Sequence, residues 1–131
     1  MKEVYEFLKS CGTYYLATVD GDRPRVRPFG TIDLFNGRLY IQTGRVKAVA
    51  QQMKTNPNIE ISAMAPDGRW IRISAEAVPD DNIEAQKHML DAYPSLKAMY
   101  AAGDGNTEVY YLKNATAQIC SFTEAAREIR F

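Results

Sequence analysis

The sequence predicts a mainly β protein: a small closed barrel of six to seven antiparallel strands joined by hairpins, with helices at the ends of the sheet. Three observations predict it. Segments rich in β-forming or alternating apolar residues recur at Thr13–Val19, Arg38–Thr43, Asn58–Ala65 and Arg69–Val78. Tight-turn sequences separate them, at Asp20-Gly21-Asp22, Asn36-Gly37 and Pro66-Asp67-Gly68. Helical periodicity is confined to short stretches between or beside these runs. With 131 residues the chain forms one domain, residues 1–131, around a single core. A barrel of that size fills its own interior, so a ligand sits outside it, commonly at a seam between two copies.

Taken in order, Val4, Phe7 and Leu8 make one face of a helix over residues 2–10 that ends before Gly12. Strand Thr13–Val19 turns at Asp20-Gly21-Asp22 into Arg23–Phe35. There Val26, Pro28, Gly30, Ile32 and Leu34 share one face, and Arg25, Arg27, Phe29, Thr31 and Asp33 the other. Pro28 marks that run as an edge, a bulge or a bend. Asn36-Gly37 leads into the next strand. Strand 58–65 points Ile59, Ile61, Ala63 and Ala65 one way, and strand 69–78 points Ile71, Ile73, Ala75 and Ala77 inward. Pro79-Asp80-Asp81-Asn82 starts a helix over 83–92, and a second helix covers 94–102. Strands 107–112 and 117–122 close the pattern, joined through Lys113-Asn114-Ala115-Thr116; the tail from Thr123 forms a short helix or a paired strand.

The stretch Arg38–Met53 changes period at Gly44. Leu39, Ile41 and Thr43 alternate with Arg38, Tyr40 and Gln42, whereas Val46, Val49, Ala50 and Met53 fall at helical spacing, giving a helix over 45–55. Arg45 and Lys47 then stand in its first turn, where the helix dipole disfavours cations. A phosphate at the helix start, met by open N–H groups and a lysine, offsets that; a solvated turn is the plainer reading. Arg25 and Arg27 belong either to a solvated face or to the same anion, since hairpin pairing brings their strand beside Lys47's and a guanidinium grips phosphate bidentately. Trp70, the one tryptophan, lies among polar neighbours, suited to stacking on a ring, burial in an interface or covering a barrel end.

Sixteen basic and sixteen acidic residues give zero formal net charge, which argues against a nucleic-acid or anionic-membrane surface. Nine basic against six acidic residues in positions 1–65 put the small positive excess near the expected anion site. No apolar run is long enough for a membrane span, and residues 1–10 lack the pattern of a signal peptide, so a cytoplasmic location is expected. Cys11 and Cys120 read as free thiols. The single histidine, His88, follows Glu84 by four residues and reads as a surface partner of it; no metal-ligand spacing and no nucleophile constellation is present.

Three segments, Arg23-Pro24-Arg25-Val26-Arg27-Pro28-Phe29, Leu39-Tyr40-Ile41-Gln42-Thr43-Gly44-Arg45-Val46-Lys47 and Asp67-Gly68-Arg69-Trp70-Ile71-Arg72-Ile73-Ser74-Ala75-Glu76-Ala77, resemble in order and spacing the signature strands of the pyridoxamine-phosphate-oxidase-like flavoproteins. The Asp-Gly-Arg-Trp turn and the short length resemble the nitroimidazole-reductase-related branch. The resemblance implies an FMN-binding split barrel that dimerises and holds FMN in clefts between the subunits. It implies that Arg25, Val26, Arg27 and Pro28 run along the flavin, with Arg25 or Arg27 near its phosphate or ring edge. It places Gln42 and Thr43 beside the ribityl chain and phosphate, Val46 within the cofactor-binding set and Lys47 on the phosphate. Trp70 stands where members often carry a polar residue near the ring. The segment with which the true oxidase recognises pyridoxamine phosphate has no counterpart here, which points away from vitamin B6 as substrate.

Three functions are therefore in view. One is a homodimeric FMN oxidoreductase taking electrons from NAD(P)H and passing them to a small-molecule acceptor. Another is a non-catalytic module on the same barrel that stores or senses a flavin, haem or nucleotide; deazaflavin or haem also stands as an alternative to FMN. The third, an oligonucleotide-binding barrel, is disfavoured by the zero net charge.

Overall fold

Local turn chemistry sets the sheet. In a computed structural model describing residues 1–131, the Asn36-Gly37 turn joins β3 (Asp33–Phe35) to β4 (Arg38–Gly44), with φ of 51° at Asn36 and 74° at Gly37. Both central residues adopt the left-handed region that a two-residue type I′ hairpin requires. The remaining strands are β1 (Tyr14–Asp20), β2 (Arg23–Phe29), β5 (Asn58–Met64), β6 (Trp70–Asp80), β7 (Thr107–Cys120) and β8 (Arg127–Arg130). All pair antiparallel in one sheet of order β2-β1-β5-β6-β7-β4-β3, with β8 added on β7.

The closed barrel that the strand pattern suggests is instead a split one, the form that the resemblance implies. β2 and β3 are consecutive in sequence yet stand at opposite ends of the sheet order. Pro24 and Pro28 lack the N–H groups a second neighbour would need, which suits β2 to an edge. Side chains bridge the seam: the Tyr14 hydroxyl donates to the Thr31 carbonyl at 2.5 Å, and the Thr31 hydroxyl accepts from the Gln42 N–H at 3.1 Å.

The chain between Gly30 and Ile32 leaves the sheet, so the single strand expected over Arg23–Phe35 is two strands, and its face assignment is corrected. Arg25 and Arg27 register opposite Thr18 and Leu16 on the inward side, while Val26 turns outward and is 68% exposed. Conversely, the two strands expected over 107–122 are one. β7 runs through a bulge opposite Ala75, where Asn114 adopts a φ of 50° and absorbs the extra residue. β6 continues through Pro79 to Asp80, and the tail pairs as β8. The second helix expected over 94–102 is a 3₁₀ turn, Pro94–Ala98.

Helices α1 (Lys2–Cys11), α2 (Ala48–Thr55) and α3 (Ile83–Ala92) cover the sheet. Val4, Phe7 and Leu8 of α1, with Val49 and Met53 of α2, join Leu16, Ile61, Ile71, Ile73 and Tyr110 in the main core. Each fully buried isoleucine contributes about 1.5–3 kcal/mol by its removal from water. A smaller cluster, Tyr40, Ala85, Met89 and Val109, seats α3 on the other face of β4. Both faces of β4 are therefore covered, and Gln42 and Thr43 are buried. No helix is long and apolar enough to cross a membrane.

Candidate functional site

The inward side of the β2 edge carries Arg25 and Arg27. Arg27 donates from Nη1 to the Leu16 carbonyl at 3.1 Å and to Thr18 Oγ1 at 2.8 Å, and from Nη2 to Gln52 Oε1 of α2 at 2.7 Å. Thr18 Oγ1 also donates to Gln52 Oε1 at 2.6 Å. Every acceptor is neutral. Partial burial, and then the adjacent Arg25 guanidinium, hold Arg27 below the ordinary arginine value. A guanidinium partly withdrawn from water, beside a second one and without a counter-ion, favours an anion at this corner. Arg25 itself pairs with Asp20 at 3.1 Å, both half exposed.

Gly44 ends β4 where a side chain would crowd its neighbours, since a Cβ there would lie 3.0 Å from the Tyr100 hydroxyl, which would have to give way. The helix expected over 45–55 begins only at Ala48. The Arg45 and Val46 N–H groups are turned instead to the carbonyl and side chain of Asn106, at 2.7 and 3.4 Å. Lys47 is the extended residue immediately before α2, and no side chain caps that helix start, nor is there an acidic residue in its first turn. Its open N–H groups and dipole present partial positive charge beside Lys47. Lys54, in the last turn of this helix, pairs with Glu108 at 2.7 Å, whereas the Lys47 side chain is exposed and has no partner. Gln52, which meets Arg27, follows Lys47 by five residues, about 7 to 8 Å along the helix axis.

Arg25 and Arg27 thus share the inward side of β2, Arg27 is tied to α2 through Gln52, and Lys47 stands at the start of that same helix. Thr43 lies on the core side of β4 opposite Glu108, 3% exposed. Gln42 faces the other way, beside Val109, its side-chain amide donating to the Thr43 carbonyl at 3.3 Å. Val46 is fully outside the helical face expected of it, at 85% exposure. Val26, Pro28 and Trp70 occupy the outer face of the sheet. There Tyr15, Val26, Met64 and Phe122 are all exposed, and Trp70 packs on Phe122 with ring centroids 5.0 Å apart. Tyr15, Met64, Trp70 and Phe122 line a shallow cleft of about 370 Å³.

Thr18 and Gln52 were not legible as site residues. The one available signal for Thr18 is a hydroxyl in phase with the inward Tyr14 and Leu16; Gln52 offers none. His88 does not pair with Glu84. Its Nδ1 meets the buried Asp33 carboxylate at 2.6 Å, and its ring packs 4.6 Å from Phe35, because α3 crosses over β3.

No curated protein sequence matches the chain. The profile of the pyridoxamine 5'-phosphate oxidase family matches residues 1–119. A NimC/NimA family protein from Clostridium acetobutylicum is 44% identical, with a TM-score of 0.97 over 100% of this chain and 92% of that one. The General Stress Protein 26 from Bacillus anthracis superposes at 0.77 with 17% identity over 99% and 97% of the two chains. A heme binding protein from Mycobacterium smegmatis does so at 0.73 with 15% identity, over 98% of this chain and 56% of that one. The last two share the fold. Family profile, sequence identity and the seam between β2 and β3 agree that the chain belongs to the pyridoxamine 5'-phosphate oxidase family of split barrels, on its NimC/NimA branch.

Proposed function

We propose that this protein is a homodimeric FMN-binding oxidoreductase of the cytoplasm, drawing electrons from NAD(P)H and reducing a small-molecule acceptor other than pyridoxamine phosphate. The observation that carries the reading is the counter-ion-free Arg27, held by three neutral acceptors beside Arg25 and tied through Gln52 to α2, a helix whose start is uncapped. A terminal phosphate fits that donor set. Arg27 offers its remaining N–H edge, Lys47 a point charge, and α2 its open amides. When bound, FMN supplies the hydride and electron chemistry. The chain's own part is to fix the phosphate, to keep Arg27 oriented through Thr18 and Gln52, and to exclude water from one side of the ligand with the edge of β2.

Dimerisation is supported by the outer face. An apolar patch containing Tyr15, Val26, Met64, Trp70 and Phe122, without a covering helix, is the kind of surface that soluble proteins bury against a partner. A second copy over that face would enclose Val26, Pro28 and Trp70 next to the flavin and complete a site that one chain leaves open.

The test begins with the molecule that co-purifies. Denatured protein should release FMN in near-equimolar amount, and NADH or NADPH should bleach the bound flavin until a nitro compound or quinone restores it. Release of haem, or of nothing, contradicts the proposal. Flavin that no donor reduces supports the second reading, a storage or sensing module, which uses the same cationic corner without turnover.

A further inference from the structure

A separate recess lies between α3, the end of β6 and the start of β7. Its volume is about 390 Å³, within the range of small-molecule sites, and Arg45, Asp80, Asp81, Gln86, Gly103 and Glu108 contribute to its lining. Two carboxylates of its lining residues are already satisfied, that of Glu108 on the core side of β7. Asp80 Oδ2 accepts from the Tyr40 hydroxyl at 2.6 Å and from Arg38 at 3.4 Å. Glu108 accepts from the Tyr110 hydroxyl at 2.8 Å and from Lys54 at 2.7 Å. The side chains of Asp81 and Arg45 have no partner within the chain, and both are exposed to the recess.

Gln86 is the second, independent observation. Its residue is 5% exposed, and its Oε1 accepts from the Gly103 N–H at 2.9 Å. Its Nε2 donates to no group of the chain. No fully buried side-chain polar atom lacks a partner, so that amide nitrogen keeps some access to solvent, and Gln86 lines the recess. An amide donor that meets only water at the wall of a recess is free to hydrogen-bond a ligand that displaces that water.

The charges define the class of ligand. Asp80, Asp81 and Glu108 are balanced by Arg45 together with the two cations that pair with them, Arg38 and Lys54. The neighbourhood is therefore neutral, yet it displays one free carboxylate and one free guanidinium. A lone anion or a lone cation leaves one of these unmatched. We propose that this recess binds a small zwitterion of the α-amino-acid type. The ligand's carboxylate is met by Arg45 and by Nε2 of Gln86, and its ammonium by Asp81 with the second oxygen of Asp80. Arg45 thereby has a task distinct from that of Lys47, two positions further on.

The experiment is a titration of the ¹⁵N-labelled protein, as purified, with L-serine and L-leucine, with acetate and choline as single-charge probes. At least one of the two amino acids should shift the amides of Asp81, Gln86 and Gly103 saturably. Arg45→Gln and Asp81→Asn should each weaken that binding about tenfold or more, the effect of losing one charge-assisted hydrogen bond. The absorbance of the bound flavin should stay the same in both variants, so failure here is distinguishable from failure of the flavin assignment. The proposal is overturned by any of three results: no saturable shift with either amino acid, acetate or choline binding as tightly as they do, or both variants binding like the parent.

Discussion

Lys47→Ala isolates the phosphate grip from the fold. Lys47 precedes α2 in extended conformation, is exposed, and its side chain makes no hydrogen bond or ion pair. Its removal should therefore leave unfolding free energy within about 0.5 kcal/mol of the parent, as for surface positions without a special role. A charge-assisted hydrogen bond to a phosphate contributes roughly 1.5–3 kcal/mol, so FMN affinity should fall about tenfold to a hundredfold. Calorimetric titration of flavin-stripped protein with FMN measures this directly, alongside a denaturant curve for stability. Arg27 could not serve as cleanly, because it also ties β1 to α2 through Leu16, Thr18 and Gln52. Unchanged FMN affinity in Lys47→Ala would show that the lysine is merely solvated and that the phosphate, if bound, lies elsewhere.

Three further outcomes are expected. His88→Ala removes the only partner of the buried Asp33 carboxylate and should cost about 1–3 kcal/mol of stability, read by urea unfolding at neutral pH. Asp104 accepts from the Ala101, Asn106 and Thr107 N–H groups, and these bonds pull its carboxyl down to about 2 from an ordinary 3.8. A lowered folded-state value stabilises above the unfolded value and is lost as the folded one is passed on acidification. The stability gap between parent and Asp104→Asn should thus hold above about pH 4 and close toward pH 2, measured by thermal melts across that window. Trp70→Ala removes the ring stacked on Phe122 from the outer apolar face and should shift the dimer toward monomer in sedimentation; an unchanged dimer would remove Trp70 from the interface.

Much of this architecture is legible before any coordinates. Turn pairs such as Asn36-Gly37 and the alternation of Ile59, Ile61 and Ala63 specify strands because register is fixed locally, and the β5 and β6 faces lie where the pattern puts them. What the sequence conceals is tertiary. The inward turn of Arg25 and Arg27 follows from the break at Gly30–Ile32, which shifts the phase between β2 and β3, and three arginines by themselves read as a wet face. The bulge at Asn114 resembles a loop in sequence because asparagine and lysine are turn formers, although the ladder to β6 continues on both sides. Burial of Gln42 depends on α3 crossing β4 from 40 residues away, and the pairing of His88 with Asp33 depends on the same crossing. Of the residues expected along a flavin, Arg25 and Arg27 lie on the inward side of β2, and Lys47 stands at the start of the helix that Arg27 meets through Gln52. Gln42, Val26, Pro28 and Trp70 occupy other surfaces, which a single chain does not bring together.

The cationic corner is tested most directly by comparing FMN with riboflavin, which differs only in lacking the phosphate. Titrated into flavin-stripped protein, FMN should bind at least about a hundredfold more tightly than riboflavin, because Arg27, Lys47 and the start of α2 all act on the missing group. Equal affinities for the two would mean that no phosphate is held there, and the functional reading built on that corner would be wrong.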